Sequence, residues 1–64
     1  MKIDTIEKLK ANLKVFKMKF LKGGCDKMQL YPLFCAHYDK NKERYQLPKE
    51  TVLDYACEIL IENA

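Results

Sequence analysis

The 64-residue sequence contains no tryptophan, only two glycines and a single histidine. Gly23 and Gly24 are adjacent, so the chain has no glycine-rich loop of the kind that holds phosphate groups. The longest run without a charge or an amide spans residues 30–38, far short of the roughly 20 residues that a membrane-spanning helix needs. These absences argue against nucleotide-binding loops and against a membrane span.

The chain has three cysteines, and no two of them are closely spaced in the sequence. Cys25, Cys35 and Cys57 form no C-x-x-C pair, which argues against a zinc site. The opening residues MKIDTIEKLK carry charges where a signal peptide needs its apolar segment. We therefore expect a cytoplasmic protein with three free thiols and no metal or cofactor.

Positive charge is abundant but comes almost entirely from lysine. Arg44 is the single arginine among 12 basic residues, so the planar fork that reads phosphate or guanine with two bonds is rare here. The net charge of +3 is unevenly distributed. Residues 1–32 carry eight lysines against three acidic residues, and residues 33–64 carry four basic residues against six acidic ones. The first half is basic and the second half is acidic.

Apolar residues near the N-terminus recur with helical spacing. Steps of three and four residues place five of them on one side of a helix, namely Ile6, Leu9, Leu13, Phe16 and Phe20. Asp4, followed three residues later by Glu7, predicts the helix start. The two glycines after Lys22 predict its end. This helix is expected to be the element against which the remaining chain packs.

Two further helical segments follow. We expect the second to begin at Pro32, because proline disfavours a helical conformation at the residue before it, whereas residues 27–31 fit a turn, an extended piece or a helical lead-in. Its buried side would carry Phe34, Tyr38, Asn41 and Tyr45. The third is predicted from Pro48 to about Asn63, with a buried side of Val52, Ala56, Ile59 and Leu60, and with Leu53 and Tyr55 at the edges. The expected fold is a small all-α, three-helix domain over residues 1–64, with roughly antiparallel neighbours because the loops are short.

The third helix carries an acidic ladder. Four carboxylates at intervals of four residues share one face, namely Glu50, Asp54, Glu58 and Glu62. Like charges at this spacing repel by about 0.2–0.5 kcal/mol per pair, and helix propensity does not require them. A solvated face explains the ladder as well as a docking stripe does. The docking stripe would bind a basic surface on a partner, on a second copy, or on the first helix.

The first helix carries the opposite charge. A nucleic-acid backbone or an anionic lipid surface would suit its lysines, and the candidate nucleic-acid contacts are Lys10, Lys14, Lys17 and Lys22. Lysines beside an apolar stripe are also ordinary for an amphipathic helix. The acidic ladder would repel phosphate, which makes nucleic-acid binding the alternative function.

A second apolar patch lies outside the predicted core stripe. Val15, Met18 and Leu21 fall on the outer side of the first helix among its lysines. A domain this small has a marginal core and gains from association. We therefore expect a homodimer through this patch.

Other site chemistries have weaker patterns. Asp39, Asn41, Glu43 and Glu50 match ligand positions of a calcium-binding loop, but Arg44 stands where that loop requires glycine. Cys35 and His37 would point to different sides of a helix, so they do not form a nucleophile–base pair. Aromatic residues interleaved with basic ones can stack on the bases of single-stranded nucleic acid, and this pattern is present in Tyr31, Phe34, Tyr38 and Tyr45. At helical spacing, however, aromatic residues more often form core.

Together these patterns predict a non-catalytic protein–protein interaction module that docks through its acidic helix face, not an enzyme. Small size without a catalytic constellation is typical of the regulators and inhibitors that phages and mobile elements encode.

The cysteine spacing makes a direct prediction. Thiol titration in denaturant should find three free thiols per chain, and elemental analysis should find no stoichiometric zinc, because no two cysteines have the spacing of a metal-binding pair. One zinc per chain that disappears on changing Cys35 or His37 to alanine would contradict the prediction and indicate a metal site.

Overall fold

Three α-helices account for most of the chain. The computed structural model describes residues 2–62, with only the backbone at Glu62. The helices are α1 (Ile6–Lys22), α2 (Leu30–Lys40) and α3 (Lys49–Cys57). Short 3₁₀ turns flank α2 at Lys27–Gln29 and Lys42–Arg44, and a π-helical segment, Glu58–Glu62, continues α3. The prediction of a small all-α domain with three helices is confirmed, and no helix in residues 2–62 is long and apolar enough to cross a membrane.

The start of α1 differs by one residue from the prediction. Thr5, in an extended conformation, is the N-cap, and its side-chain oxygen accepts a hydrogen bond from the backbone N–H of Lys8 at 3.2 Å. Asp4 instead forms an ion pair with the Lys8 ammonium group at 3.0 Å. The hydrogen bond from Lys8, and then its charge, lower the pKa of Asp4. Asp4 therefore supports the helix start through a side chain and does not cap the backbone.

The predicted glycine stop of α1 is confirmed, and Gly24 provides it. The φ angle of Gly24 is +90°, a left-handed conformation that side-chain-bearing residues rarely adopt. The backbone N–H of Cys25 donates to the carbonyl of Phe20 at 3.0 Å, and that of Gly24 donates to Leu21 at 3.0 Å. This pair of bonds is a Schellman motif, which satisfies the last carbonyl groups of the helix.

The prediction that α2 begins at Pro32 is wrong. The helix begins at Leu30, after a 3₁₀ turn that starts when the Asp26 side chain accepts a hydrogen bond from the backbone N–H of Met28. Pro32 is the third helical residue, where a backbone N–H has no helical partner, so its missing donor costs nothing. The ambiguous residues 27–31 are thus helical: a 3₁₀ turn followed by the first residues of α2.

The helix α2 also ends before Tyr45, although its predicted buried side extended to that residue. It stops at Lys40, and Asn41 caps it by donating from its side-chain nitrogen to the carbonyl of His37 at 2.9 Å. The predicted start of α3 is displaced by one residue, because Pro48 is the N-cap and Lys49 is the first helical residue. The predicted end at Asn63 lies outside the described residues.

The core combines residues from all three helices. Most of the predicted positions are buried, while Ile6 and Phe20 are half-buried at the ends of the α1 stripe. Leu53 and Tyr55 are half-buried at the edges of α3, as predicted. The core residues are Ile3, Leu9, Leu13, Phe16, Leu30, Phe34, Tyr38, Tyr45, Val52, Ala56, Ile59 and Leu60.

Ile3 and Tyr45 are core residues that lie outside the helices. They form an isolated parallel β-bridge, in which Ile3 N–H donates to the carbonyl of Arg44 and Gln46 N–H donates to the carbonyl of Ile3, each at 2.7 Å. The phenol of Tyr45 donates to the side-chain oxygen of Asn12 at 2.9 Å. Burial raises the pKa of Tyr45, so its phenol keeps the proton that it donates. One residue thus connects the N-terminal segment, the α2–α3 loop and α1.

His37 lies at the edge of an aromatic cluster. Its ring centroid is 5.5 Å from that of Phe16 and 6.1 Å from that of Phe34. Burial, followed by the positive charges of Arg44 and Lys19, lowers the pKa of His37 below its ordinary value of 6.5. The ring is therefore a neutral packing element at neutral pH, as expected for a histidine at the edge of a core.

The core position of Leu13 gives a stability prediction. Leu13 is fully buried, and a buried leucine changed to alanine loses about 2–5 kcal/mol of stability. A domain of this size has little more than about 3–5 kcal/mol in total, so Leu13→Ala should be largely unfolded by circular dichroism. Val15→Ala on the exposed side of the same helix is the matched control and should melt like the wild type. A cooperative, near-native melt of Leu13→Ala would show that this face of α1 does not form the core.

The environment of His37 gives a pH prediction. Because its native pKa is lower than its unfolded pKa, the unfolded chain binds the proton more readily, and stability falls as the pH drops from about 6.5 through the native pKa. The melting temperature should therefore decrease between pH 7.5 and pH 5.5, and His37→Gln should reduce that decrease. Equal losses in the two proteins over this range would show that His37 is not the group responsible.

Candidate functional site

The acidic face of the domain is the exposed side of α3 formed by Glu50, Asp54 and Glu58. Glu50 lies in the first turn of the helix, Asp54 lies one turn later, and Glu58 is the C-terminal cap. All three residues are exposed. Glu62 belongs to the predicted ladder, but it lies in the π-helical segment, and its side chain is outside the described part of the structure. The wider π-helical turn interrupts the four-residue spacing beyond Glu58.

The acidic face has no internal counter-charge within residues 2–62. In that range the ion pair between Lys8 and Asp4 is the only one between described side chains. The carboxylates of the acidic face therefore keep the mutual repulsion of like charges one helical turn apart. Their charge is directed to solvent or to whatever binds there.

Two of the four candidate lysines on α1 contact the third helical segment. The ammonium group of Lys10 lies 5.3 Å from the ring centroid of Tyr55, within cation–π range. The ammonium group of Lys17 is partly buried and donates to the backbone carbonyl of Ile59 at 3.0 Å. The structure thus brings the basic edge of α1 against α3, while the carboxylates themselves stay exposed.

The other two candidate lysines, Lys14 and Lys22, are exposed on the outer face of α1. We use this term for Lys14, Val15, Met18, Leu21 and Lys22. Exposed fractions of 64% for Val15 and 70% for Met18 place the predicted apolar patch at the surface, with Leu21 at 39%. Large apolar side chains this exposed, surrounded by lysines, form a small patch of the kind used for contacts between proteins.

The aromatic residues of α2 and its following loop are not available for base stacking. Phe34 is fully buried, and Tyr38 and Tyr45 are 7% and 5% exposed. The Tyr45 ring packs on the rings of both, at centroid distances of 6.0 Å from Phe34 and 5.2 Å from Tyr38. The interpretation of this stripe as core is confirmed for these three residues, whose rings are too buried to stack on bases, while Tyr31 is half-buried against the core.

The three thiols are not paired with one another, and within residues 2–61 they do not join the histidine or carboxylates in a metal-binding cluster. Cys25, Cys35 and Cys57 are free and half-buried. No cluster of three or more histidine, cysteine or carboxylate side chains within residues 2–62 could hold a metal ion. Burial, followed by the nearby Cys35 and then Cys57, raises the pKa of Tyr31, which keeps that phenol protonated. The Tyr31 phenol is therefore uncharged where it packs beside Cys35 and Cys57.

Sequence reasoning missed one polar depression of about 520 Å³ beside the second 3₁₀ turn. It is formed because the bridge between Ile3 and Tyr45 brings the N-terminal segment to this loop, where the Lys2 ammonium group donates to the carbonyl of Glu43 at 3.4 Å. No local pattern signals such a distant pairing. The lining side chains carry both signs of charge, so they indicate no single class of ligand: Lys2, Asp39, Lys40, Asn41, Lys42, Glu43 and Arg44.

The strongest candidates are therefore two helix surfaces: the acidic face of α3 and the outer face of α1. They are opposite in charge and contain no catalytic group. Comparison with family models, with curated proteins and with solved structures found no match to this chain.

Proposed function

We propose that this domain is a non-catalytic protein–protein interaction module that docks through the acidic face of α3. The observation that carries this proposal is that three exposed carboxylates lie next to a lysine-rich helix without an ion pair to any side chain described in residues 2–61. Lys10 and Lys17 of that helix contact the Tyr55 ring and the Ile59 carbonyl. A basic protein surface would supply the missing positive charge.

The electrostatics of the acidic face suit docking more than stability. Adjacent carboxylates on the helix repel by about 0.2–0.5 kcal/mol per pair, and a cationic partner would convert that repulsion into attraction. Charges exposed at an interface mainly guide encounter and orientation. We expect the interaction to weaken as ionic strength rises, because exposed charges are screened by salt.

A small domain with such a surface and no catalytic group fits the role of a regulator or inhibitor that acts by occupying a partner's surface. Nucleic-acid binding by α1 is the less favoured alternative. Lys10 and Lys17 contact the chain's own third helical segment, and Met18 places an apolar side chain in the middle of the remaining lysines. The neighbouring acidic face would repel phosphate.

Charge reversal on α3 tests the proposal. In Asp54→Lys/Glu58→Lys, both changes are at exposed positions, Glu50 gains an attractive partner four residues later, and a lysine at position 58 suits the helix C-terminus. Circular dichroism should therefore show a wild-type fold and an unchanged or slightly higher melting temperature. The immobilised wild-type protein should bind partner proteins that the immobilised variant does not bind. The proteins offered to both are a purified second copy of the chain and a native host lysate.

The matched control is Asp39→Lys/Glu43→Lys, which makes the same charge change at two exposed positions away from α3. It should retain the partners of the wild type. If the reversed acidic face retains every bound protein, the proposal is wrong. If the reversed variant instead gains salt-sensitive DNA or RNA binding that Lys14→Glu/Lys17→Glu abolishes, the nucleic-acid alternative replaces it.

A further inference from the structure

The outer face of α1 has the chemistry that the acidic face of α3 requires. It combines the exposed side chains of Val15 and Met18 with the exposed lysines Lys14 and Lys22. On the side of the acidic face that is next to α1, α3 also carries half-buried Tyr55, whose ring offers apolar surface next to the carboxylates. One surface is basic and apolar, and the other is acidic and apolar.

The two surfaces are neighbours on the same molecule. Lys10 contacts Tyr55 and Lys17 contacts Ile59, so α1 and the third helical segment lie side by side. A groove of about 500 Å³ runs between them, lined by Lys14, Lys17, Met18 and Ile59. The lysines and Met18 line the α1 side of this groove, and Ile59, the sequence neighbour of Glu58 in the acidic face, lines its other side.

A basic surface and an acidic surface that flank one groove are self-complementary. A two-fold axis through the groove exchanges the two sides, so that the basic side of each copy meets the acidic side of the other. Two such copies make the same contact twice, and the assembly closes as a dimer. No second type of molecule is needed.

We propose that the basic partner of the acidic face is the outer face of α1 on a second copy of this chain, in a two-fold symmetric dimer. This inference rests on the proposed function, because it names the occupant of the acidic face. It also revises the expected dimer patch of Val15, Met18 and Leu21. In the dimer this patch meets α3 of the second copy and not the same patch on α1.

Charge decides between these two arrangements. The helix α1 carries six lysines and one glutamate, so packing α1 on α1 would bring like charges together across the interface. Packing α1 on α3 brings opposite charges together instead. The same helix pair leaves Val15 and Met18 beside the apolar margin of α3 and not beside lysines of the partner.

The size of the molecule sets the expected affinity. A standard interface buries about 800 Å² per partner, which is less than a fifth of the 4484 Å² surface of this chain. The longest dimensions, 29 Å and 21 Å, leave room for one such face. A contact of this size between polar, charged surfaces corresponds to a reversible dimer that dissociates on dilution and at high salt.

The test is a charge-swap complementation measured by sedimentation equilibrium. The acid-reversed variant is Asp54→Lys/Glu58→Lys, and the base-reversed variant is Lys14→Glu/Lys22→Glu. The wild type should approach twice its mass of 7.6 kDa as its concentration rises. Each variant alone should be monomeric, with its dimer dissociation constant raised at least about tenfold by like-charge contacts in both symmetric patches. An equimolar mixture of the two variants should form a heterodimer, because each altered surface then faces its complement.

Two controls make the result specific. Asp39→Lys/Glu43→Lys matches the charge of the acid-reversed variant and should dimerise like the wild type. Met18→Ala should weaken the dimer without changing its dependence on salt, because it removes apolar contact and no charge. Circular dichroism checks that each variant is folded. If the acid-reversed variant is unfolded, the neutral variant Asp54→Asn/Glu58→Gln takes its place.

A wild type that is monomeric at every concentration overturns the dimer. The proposed function remains intact in that case if the capture of partners from lysate still depends on the acidic face. A wild-type dimer that both reversed variants preserve also overturns it, since another surface must then hold the copies together. Failure of the mixed variants to associate, while the wild type dimerises, excludes contact between α1 and α3. Loss of every acidic-face-dependent interaction would instead be the failure of the proposed function itself.

Discussion

The hydrogen bond from the Tyr45 phenol to Asn12 holds together parts of the chain that helix formation alone would leave separate. Tyr45 follows a 3₁₀ turn, pairs through its backbone segment with Ile3, and packs its ring on Phe34 and Tyr38. The N-terminal segment, α1, α2 and the loop before α3 therefore meet at one residue. Removing it would leave the half-buried Asn12 side chain without this partner and the rings of Phe34, His37 and Tyr38 without their neighbour.

The helices could be predicted from the sequence because their signals are local. The three- and four-residue spacing of Leu9, Leu13 and Phe16 determined the buried side of α1, and Gly24 ended it. The errors came from competing local rules. Proline is tolerated both just before a helix and in its first turn, because a backbone N–H at either place has no partner within the helix. Pro32 alone therefore did not determine where α2 begins. The pairing of Ile3 with Tyr45 spans 42 positions and has no local signal.

The surfaces were predictable in part for the same reason. Residues opposite a known core stripe must face outward, so the exposure of Val15 and Met18 followed from helix geometry once Leu13 and Phe16 were assigned to the core. The division of the lysines did not follow. Lys10 and Lys17 contact α3 and its continuation only because of how the two helices pack, which no spacing within α1 determines. Charge pattern identifies a surface, whereas tertiary packing decides which of its charges remain available.

A chain of this length has few ways to satisfy its own charges. Each helix gives one side to a small core, so lysines of α1 and carboxylates of α3 must both lie outside it. Where the two helices touch, the contacts go to the Tyr55 ring and the Ile59 carbonyl, which lie at the groove and are closer to the core than the carboxylates are. Opposite charges therefore remain on either side of one groove, facing the same solvent. In the dimer that we propose, a two-fold rotation places each of these surfaces on its complement in the second molecule.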